Sequence, residues 1–249
     1  MLSKANIKYI RLLQQKKYRQ KNRVFIAEGE KIVQEIFTQE QFNIHSIYAT
    51  AEWEQQNINS LKAHRAQFNL VTTQELGKIS QLQKANQVLM LLEYSSAALP
   101  TTQELENQWC LVLDQIRDPG NMGTIIRIAD WFGIEHIFCS QDCVDAYNPK
   151  VVQSTMGSFL RTKVHYIDLQ ELFEKHKNLP KYGAVLDGQN AFQSNYESAG
   201  FLVIGNESRG VSDTIKGMLT HHITIPKYGH AESLNAAIAT GILCAAIKK

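Results

Sequence analysis

The sequence predicts an α/β protein of two units, a small α/β unit followed by a larger one built on a parallel sheet. Three observations carry this. Short apolar, strand-like runs at 110–113, 136–139, 164–167, 183–186, 202–204 and 223–225 alternate with helical patterns at 122–132, 150–159 and 169–175. A polar, turn-prone stretch over 95–108, opening Ser-Ser-Ala-Ala-Leu-Pro-Thr-Thr-Gln-Glu, interrupts the apolar periodicity. Before it, strand-like runs at 24–27, 44–49, 68–71 and 88–92 share the chain with helical stretches, the clearest over 28–40. Strands alternating with helices imply a parallel sheet covered on both faces, and ligands of such sheets gather at the carboxyl ends of the strands. The expected division is 1–95, a linker over 96–108, and 109–249.

Length and composition agree. A chain of 249 residues holds one large domain or two ordinary ones, and 44% hydrophobic with 20% charged residues are ordinary globular proportions. Five prolines and the lack of a low-complexity tract argue against long disordered segments.

The first segment is basic. Lys4, Lys8, Arg11, Lys16, Lys17, Arg19, Lys21 and Arg23 occur with no acidic residue among them, although the whole chain carries only +2. Such a run suits a phosphate backbone, where each neutralised phosphate releases counterions; a solvated lysine-rich helix face reads the same way from charge alone. No apolar core of a signal peptide follows it. No apolar run reaches the roughly 18 residues that span a bilayer, and 234–247 reads as a buried helix. Of Cys110, Cys139, Cys143 and Cys244, three sit in apolar runs, where cysteine acts as a small hydrophobe. His136, Cys139 and Cys143 lie close in sequence without a second ligand pair, so no metal site is expected. Reduced cysteines and no membrane span point to the cytoplasm.

Three loops follow strands and carry unusual residues. The first contains Asp118-Pro-Gly-Asn121-Met-Gly123 and leads into a helix rich in Ile125, Ile126, Ile128, Ala129, Trp131 and Phe132. Asn121 is an expected N-cap there. In so apolar a helix, Arg127 either pairs with Asp130 at i,i+3 or faces a site, because an unpaired buried charge is costly. The second loop, Gly205-Asn206-Glu207-Ser208-Arg209-Gly210, has the glycine spacing of a P-loop but is followed by Val211-Ser212 in place of Lys-Ser/Thr, which argues against triphosphate binding. The third, Pro226-Lys-Tyr-Gly229-His-Ala-Glu-Ser233-Leu234-Asn235, enters the last helix, with Ser233 its expected N-cap.

Together Asp118-Pro-Gly-Asn121-Met-Gly123-(x3)-Arg127, Gly205-Asn206-Glu207-(x)-Arg209-Gly210 and Ile225-Pro226-(x2)-Gly229-(x3)-Ser233-Leu234-Asn235 resemble, in order, the three motifs of the SpoU (TrmH) branch of the SPOUT RNA methyltransferases. The stretch Lys21-Asn22-Arg23-(x)-Phe25-Ile26-Ala27-Glu28-Gly29-Glu30-Lys31-(x)-Val33 is similar to the substrate-binding domain of that family's rRNA-modifying members. The resemblance implies a C-terminal domain tied in a deep trefoil knot, against the general expectation of unknotted chains. It implies a homodimer that transfers a methyl from S-adenosylmethionine to a ribose 2′-hydroxyl of RNA, rRNA rather than tRNA. By the same resemblance Gly205, Ile225, Leu234 and, after the 183–186 strand, Gly188 hold the cofactor. Arg127 is the catalytic arginine, with Asn121, Glu207, Ser233 and Asn235 orienting it and the ribose, while Lys16, Lys17, Arg19, Lys21 and Arg23 bind RNA. Lys227 replaces the methionine of many relatives and offers an added phosphate contact. A base-methylating SPOUT enzyme and a non-catalytic RNA-binding protein of the same fold are the alternatives.

Overall fold

The computed structural model describes residues 2–39, 41–82, 86–95 and 98–248. They pack as two units. One comprises Met1–Ser96 with Asp145–Leu160, the other Ala97–Val144 with Arg161–Lys249. The segment Asp145–Leu160, read from sequence with the second half, thus packs with the first.

In the first unit the chain runs α1 (Lys4–Leu12), α2 (Lys16–Asn22), β1 (Val24–Glu28), α3 (Glu30–Gln39), β2 (Ile44–Ala49), α4 (Ala51–Gln56), α5 (Ile58–Leu61), β3 (Phe68–Leu70), α6 (Thr73–Ile79) and β4 (Val88–Glu93). The sheet order is β1-β4-β2-β3, with β4 antiparallel to β1 and β2, and β3 parallel to β2. Both faces are covered, which explains why residues 88–92 are apolar without alternation. Val88, Met90 and Leu92 join Phe25, Ile32, Val33, Ile36 and Trp53 in one core, and Leu89 and Leu91 join Ile10, Leu13, Ile26 and Leu76 in the other. The first core is completed by Tyr147, Val152, Phe159 and Leu160, with Tyr147 stacked 4.3 Å from Phe25.

Three helical expectations are refined. The basic stretch is two helices, α2 ending where Arg23 adopts a left-handed φ of 52°. The pattern over 28–40 is α3, entered through Gly29 at φ 108°, with Glu40 outside the described residues. The pattern over 150–159 breaks, since α9 (Pro149–Thr155) stops at Met156 and Gly157, both at positive φ, and a 3-10 turn follows over Ser158–Leu160. Part of the expected linker is helical too. Within 98–108 the chain forms α7 (Thr102–Leu105), started by a Thr101–Glu104 capping box that the Pro-Thr-Thr run disguises; Ser96 and Ala97 lie outside the described residues.

The second unit adds β5 (Trp109–Leu113), α8 (Pro119–Trp131), β6 (His136–Cys139), β7 (Lys163–Tyr166), α10 (Leu169–Lys175), β8 (Lys181–Asn190), β9 (Gly200–Ile204), α11 (Asp213–Lys216), β10 (His221–Thr224) and α12 (Ala236–Ile247). Its six strands are parallel in the order β10-β8-β9-β5-β6-β7. The expected α/β architecture with a parallel sheet is therefore observed. Central β5 and β9 are buried throughout, as their unbroken apolar sequences require. Strand β8 runs well beyond the expected 183–186, and its pairing with β10 shifts register between His222 and Ile223. Among the described residues no helix is long and apolar enough to cross a membrane.

Candidate functional site

The loops after β9 and β10 line one cleft, and hydrogen bonds tie them to the loop after β5. Asp118 is the N-cap of α8: its Oδ1 accepts from the Asn121 amide at 2.8 Å, and Pro119 opens the helix. This corrects the expectation that Asn121 is the cap. Because Asp118 takes that task, the Asn121 side chain is left to reach outward. Its Nδ2 donates to Glu207 Oε1 at 2.7 Å, and its Oδ1 accepts from Asn235 Nδ2 at 2.8 Å. Asn235 Nδ2 also donates to Glu207 Oε1 at 2.5 Å, and the Ala236 amide approaches the same oxygen at 3.4 Å.

Asn235 is also the N-cap of α12, its Oδ1 accepting from the Ala237 and Ile238 amides at 3.0 and 3.2 Å. Ser233, the expected cap, is exposed and makes no hydrogen bond among the described residues. A single asparagine therefore starts the last helix with its oxygen and joins the other two loops with its nitrogen.

The Gly205–Gly210 loop is closed on itself. Asn206 and Gly210 exchange backbone hydrogen bonds of 2.9 and 2.8 Å, and Asn206 Oδ1 accepts from the Ser208 amide at 2.9 Å. A Cβ at Gly205 would strike the backbone of Gly210 and Val211, so only glycine permits the closure. Two ties to the first loop escaped the sequence reading. Asn206 Nδ2 donates to the Gln115 carbonyl at 2.9 Å, and buried Asp114 Oδ2 accepts from the Ser212 amide at 2.7 Å. Their signal was an acid at the end of an apolar strand, where burial demands a donor.

Arg127 differs from expectation. Helix α8 buries Asn121, Met122, Gly123, Ile125, Ile126 and Ala129, while Thr124, Arg127 and Trp131 lie on the open side, Trp131 84% exposed. The helix is one-sided rather than apolar all round, and the guanidinium is not buried. Nor does Arg127 pair with Asp130, whose carboxylate is held by Arg161 through Nε at 3.0 Å to both oxygens and Nη2 at 2.9 Å to Oδ2. Among the described residues Arg127 has no hydrogen-bond or ion-pair partner.

The cleft has a volume of about 1230 Å³ and is lined by Gly205, Glu207, Arg209, Ile225, Lys227, Leu234 and Asn235, among others. Ile225 is half-buried and Leu234 is 45% exposed. Gly188 is not among the lining residues. It stands within β8 where a Cβ would meet the backbone of His222 and Ile223, so its glycine serves the register shift of β10. Arg209, absent from the sequence-predicted set, lies on the cleft and is exposed.

Of the five basic residues expected to meet RNA, Lys16, Lys17, Lys21 and Arg23 are exposed, and Arg23 lies over the Tyr94 ring at 5.7 Å. Arg19 is the correction. It is 1% exposed, donates through Nε and Nη2 to Asp145 Oδ2 at 3.0 and 2.5 Å, and donates through Nη1 to the Leu13 and Gln14 carbonyls. Four of its five N–H donors are bonded to protein, and its burial keeps the group from a phosphate.

All four cysteines are free and buried. Cys143 donates to the Leu113 carbonyl at 3.3 Å and accepts from the Ile116 amide at 3.2 Å, supporting the start of the first loop. A hydrogen bond from Cys139, aided by those from Ser140 and the Ile116 amide, lowers its thiol to about 7 despite burial. Among the described residues no group of histidine, cysteine or carboxylate side chains is placed to hold a metal.

Residues 108–245 match the SpoU rRNA Methylase family, and residues 4–90 match the MRM3-like substrate binding domain. An uncharacterized tRNA/rRNA methyltransferase of Synechocystis is 30% identical over 95% of this chain and 88% of its own. The 23S rRNA (guanosine(2553)-2′-O)-methyltransferase of Bacillus subtilis is 28% identical over 93% of this chain and 91% of its own. The AdoMet-bound rRNA methyltransferase of Sinorhizobium meliloti superposes with a TM-score of 0.86 at 27% identity, covering 100% of this chain and 96% of its own.

Proposed function

The chain belongs to the SpoU rRNA Methylase family, and from that membership we propose that it transfers a methyl group from S-adenosylmethionine to a ribose 2′-hydroxyl of structured RNA, with rRNA as substrate. The observation that carries the proposal is the Asn121–Glu207–Asn235 network, which ties the two loops of the cleft to the start of α8, the helix that carries an exposed arginine with no partner among the described residues. The relatives named above support the substrate class and the 2′-oxygen.

The cleft suits this cofactor in its chemistry. Ile225 and Leu234 offer apolar surface for an adenine ring, and the 205–210 and 225–229 loops offer backbone groups for its edges. When bound, S-adenosylmethionine supplies an electrophilic methyl on a sulfonium. The protein's work is on the nucleophile. A guanidinium stays protonated in proteins, so Arg127 is no general base. It binds the phosphate beside the target ribose and stabilises the negative charge that develops on the 2′-oxygen, as an oxyanion hole does. Glu207, held by two asparagine side chains and accepting only, keeps the loops in register; Asn235, whose amide is fully used within the protein, serves the same network rather than the ribose expected from sequence, and Ser233 orients the ribose. Holding the hydroxyl in line with the methyl supplies the remaining rate; as the O–CH3 bond would form and the S–CH3 bond break, leaving a neutral thioether, the hydroxyl proton would pass to water.

The unit matched by the substrate-binding model would hold RNA, with residues 1–95 as its main part joined by 145–160, 96–108 as linker and the rest of 109–249 as the methyltransferase domain. The exposed apolar side chains Trp131 and Ile238 on α8 and α12, helices that pack together, support a homodimer through this face. The trefoil knot belongs to the same reading, supported by the contact of Asn235 and Ala236, from the end of the chain, with Glu207 and Asn121.

Alkaline hydrolysis tests the proposal. It requires the 2′-oxygen to attack the adjacent phosphate, so a methyl there leaves one gap in the ladder. rRNA from cells with the protein should show one resistant linkage that cells lacking it do not. Identical ladders, or a methyl found on a base, would overturn the ribose assignment.

A further inference from the structure

We propose that Arg161 is a positioning residue for methyl transfer, acting by occupying Asp130 and so keeping Arg127 free for the RNA. This rests on the reading of Arg127 given above. Asp130 stands three residues after Arg127 on α8, the spacing at which an acid and a base on a helix surface pair. Left alone, the two would form an ion pair, and an arginine engaged in one offers less charge and fewer donors to a phosphate. That pair does not form because Asp130 is already taken.

Arg161, from the segment before β7, grips Asp130 in fork fashion with three bonds of 2.9 to 3.0 Å. The Asp130 side chain is 23% exposed and that of Arg161 36%. A two-point guanidinium–carboxylate pair to a partly covered carboxylate outcompetes a single-sided pair along an exposed helix surface. Arg127, with no partner among the described residues, is what this competition leaves. Arg161, like Arg127 and Asp130, is outside the residues that line the cleft, and it reaches α8 through its grip on Asp130.

The account makes Asp130 harmful once Arg161 is removed, which a merely structural role for Arg161 does not. Arg161→Ala should lower kcat about twofold to fivefold, the range between an exposed i,i+3 pair and a half-buried acid recruiting the nearest cation. The S-adenosylmethionine affinity, measured by calorimetry, should stay at the wild-type value and report that the fold is intact. Adding Asp130→Asn to Arg161→Ala should restore kcat, because the carboxylate that captures Arg127 is gone. Arg161→Lys, which still supplies a cation to Asp130, should lose less than Arg161→Ala.

An Arg161→Ala enzyme of unchanged kcat would overturn the inference, and so would a loss that Asp130→Asn fails to repair. Arg127→Ala is measured alongside: if that enzyme turns over normally, the role of Arg127 falls and this inference with it. An inactive Arg127→Ala beside an unrepaired Arg161→Ala refutes only the inference.

Discussion

At the scale of single residues, two arginines exchanged the environments that charge and spacing assigned them. Arg19 belongs to a basic run yet is buried against Asp145, and Arg127 belongs to an apolar helix yet is exposed. Their substitutions should separate accordingly. Arg19→Ala leaves a buried carboxylate without its cation and should cost about 3–5 kcal/mol in urea unfolding, whereas Lys17→Ala should stay within about 0.5 kcal/mol. Equal, small effects would contradict the buried-pair assignment. Arg127→Ala should abolish methyl transfer with cofactor affinity nearly unchanged. Leu234→Glu should instead weaken cofactor binding, since it sets a charge against the cleft's apolar wall. Both follow from the roles proposed above, and calorimetry with a turnover assay reads them apart.

These two arginines also mark what was legible in the sequence. Loops with a fixed order of Asn, Glu, Arg and Gly pointed to Asn121, Glu207 and Asn235, which the structure brings into one hydrogen-bond network, because backbone geometry and hydrogen bonding leave few other residue types workable there. Gly205 is the clearest case, its Cα pressed against the opposite side of its own loop. Capping was less legible. Asp118 and Asn121, or Ser233 and Asn235, are all good N-caps, and only the third dimension decides which one is released for the network. The environment of Arg19 was not legible at all, because its partner lies 126 positions along the chain.

At the scale of elements, β6 and β7 carry a buried histidine pair that ties stability to pH. His136 Nδ1 and His165 Nε2 lie 3.0 Å apart on neighbouring strands, both buried. Burial first, then the charges of His136 and Lys163, lower His165 from 6.5 to about 4, and burial lowers His136 as well. Between about pH 6.5 and 4 the unfolded chain therefore binds protons that the folded one refuses, so stability rises with pH across that window. Thermal unfolding should show a midpoint that climbs from pH 4 to 6.5 and then levels. His165→Gln should flatten the climb, and an unaltered slope would assign the dependence to other groups. Helix α2 makes a different prediction. Reversing the charge of Lys16, Lys17 and Lys21 should weaken RNA binding and reduce its salt dependence, by somewhat under one unit of slope per lost phosphate contact. Arg19 is left out of that set because it serves the core. An unchanged slope would make the exposed face of α2 merely solvated.

At the scale of the whole molecule, the parallel sheet was readable from alternation of apolar runs, whereas the packing of Asp145–Leu160 with the first unit was not. Its aromatic residues Tyr147 and Phe159 look like core anywhere, and only the Phe25 ring they meet shows which core. The proposed homodimer is tested at this scale by light scattering across a dilution series: a dimer is expected, and Trp131→Glu should dissociate it by placing a charge on the exposed apolar face. The central claim is that the acceptor is a sugar oxygen, and one measurement addresses it most directly. Purified protein, labelled S-adenosylmethionine and an RNA containing the mapped target nucleotide are compared with the same RNA carrying a single 2′-deoxy substitution there. The account predicts label in the first and none in the second. Undiminished transfer to the deoxy substrate would contradict it and move the methyl to a base.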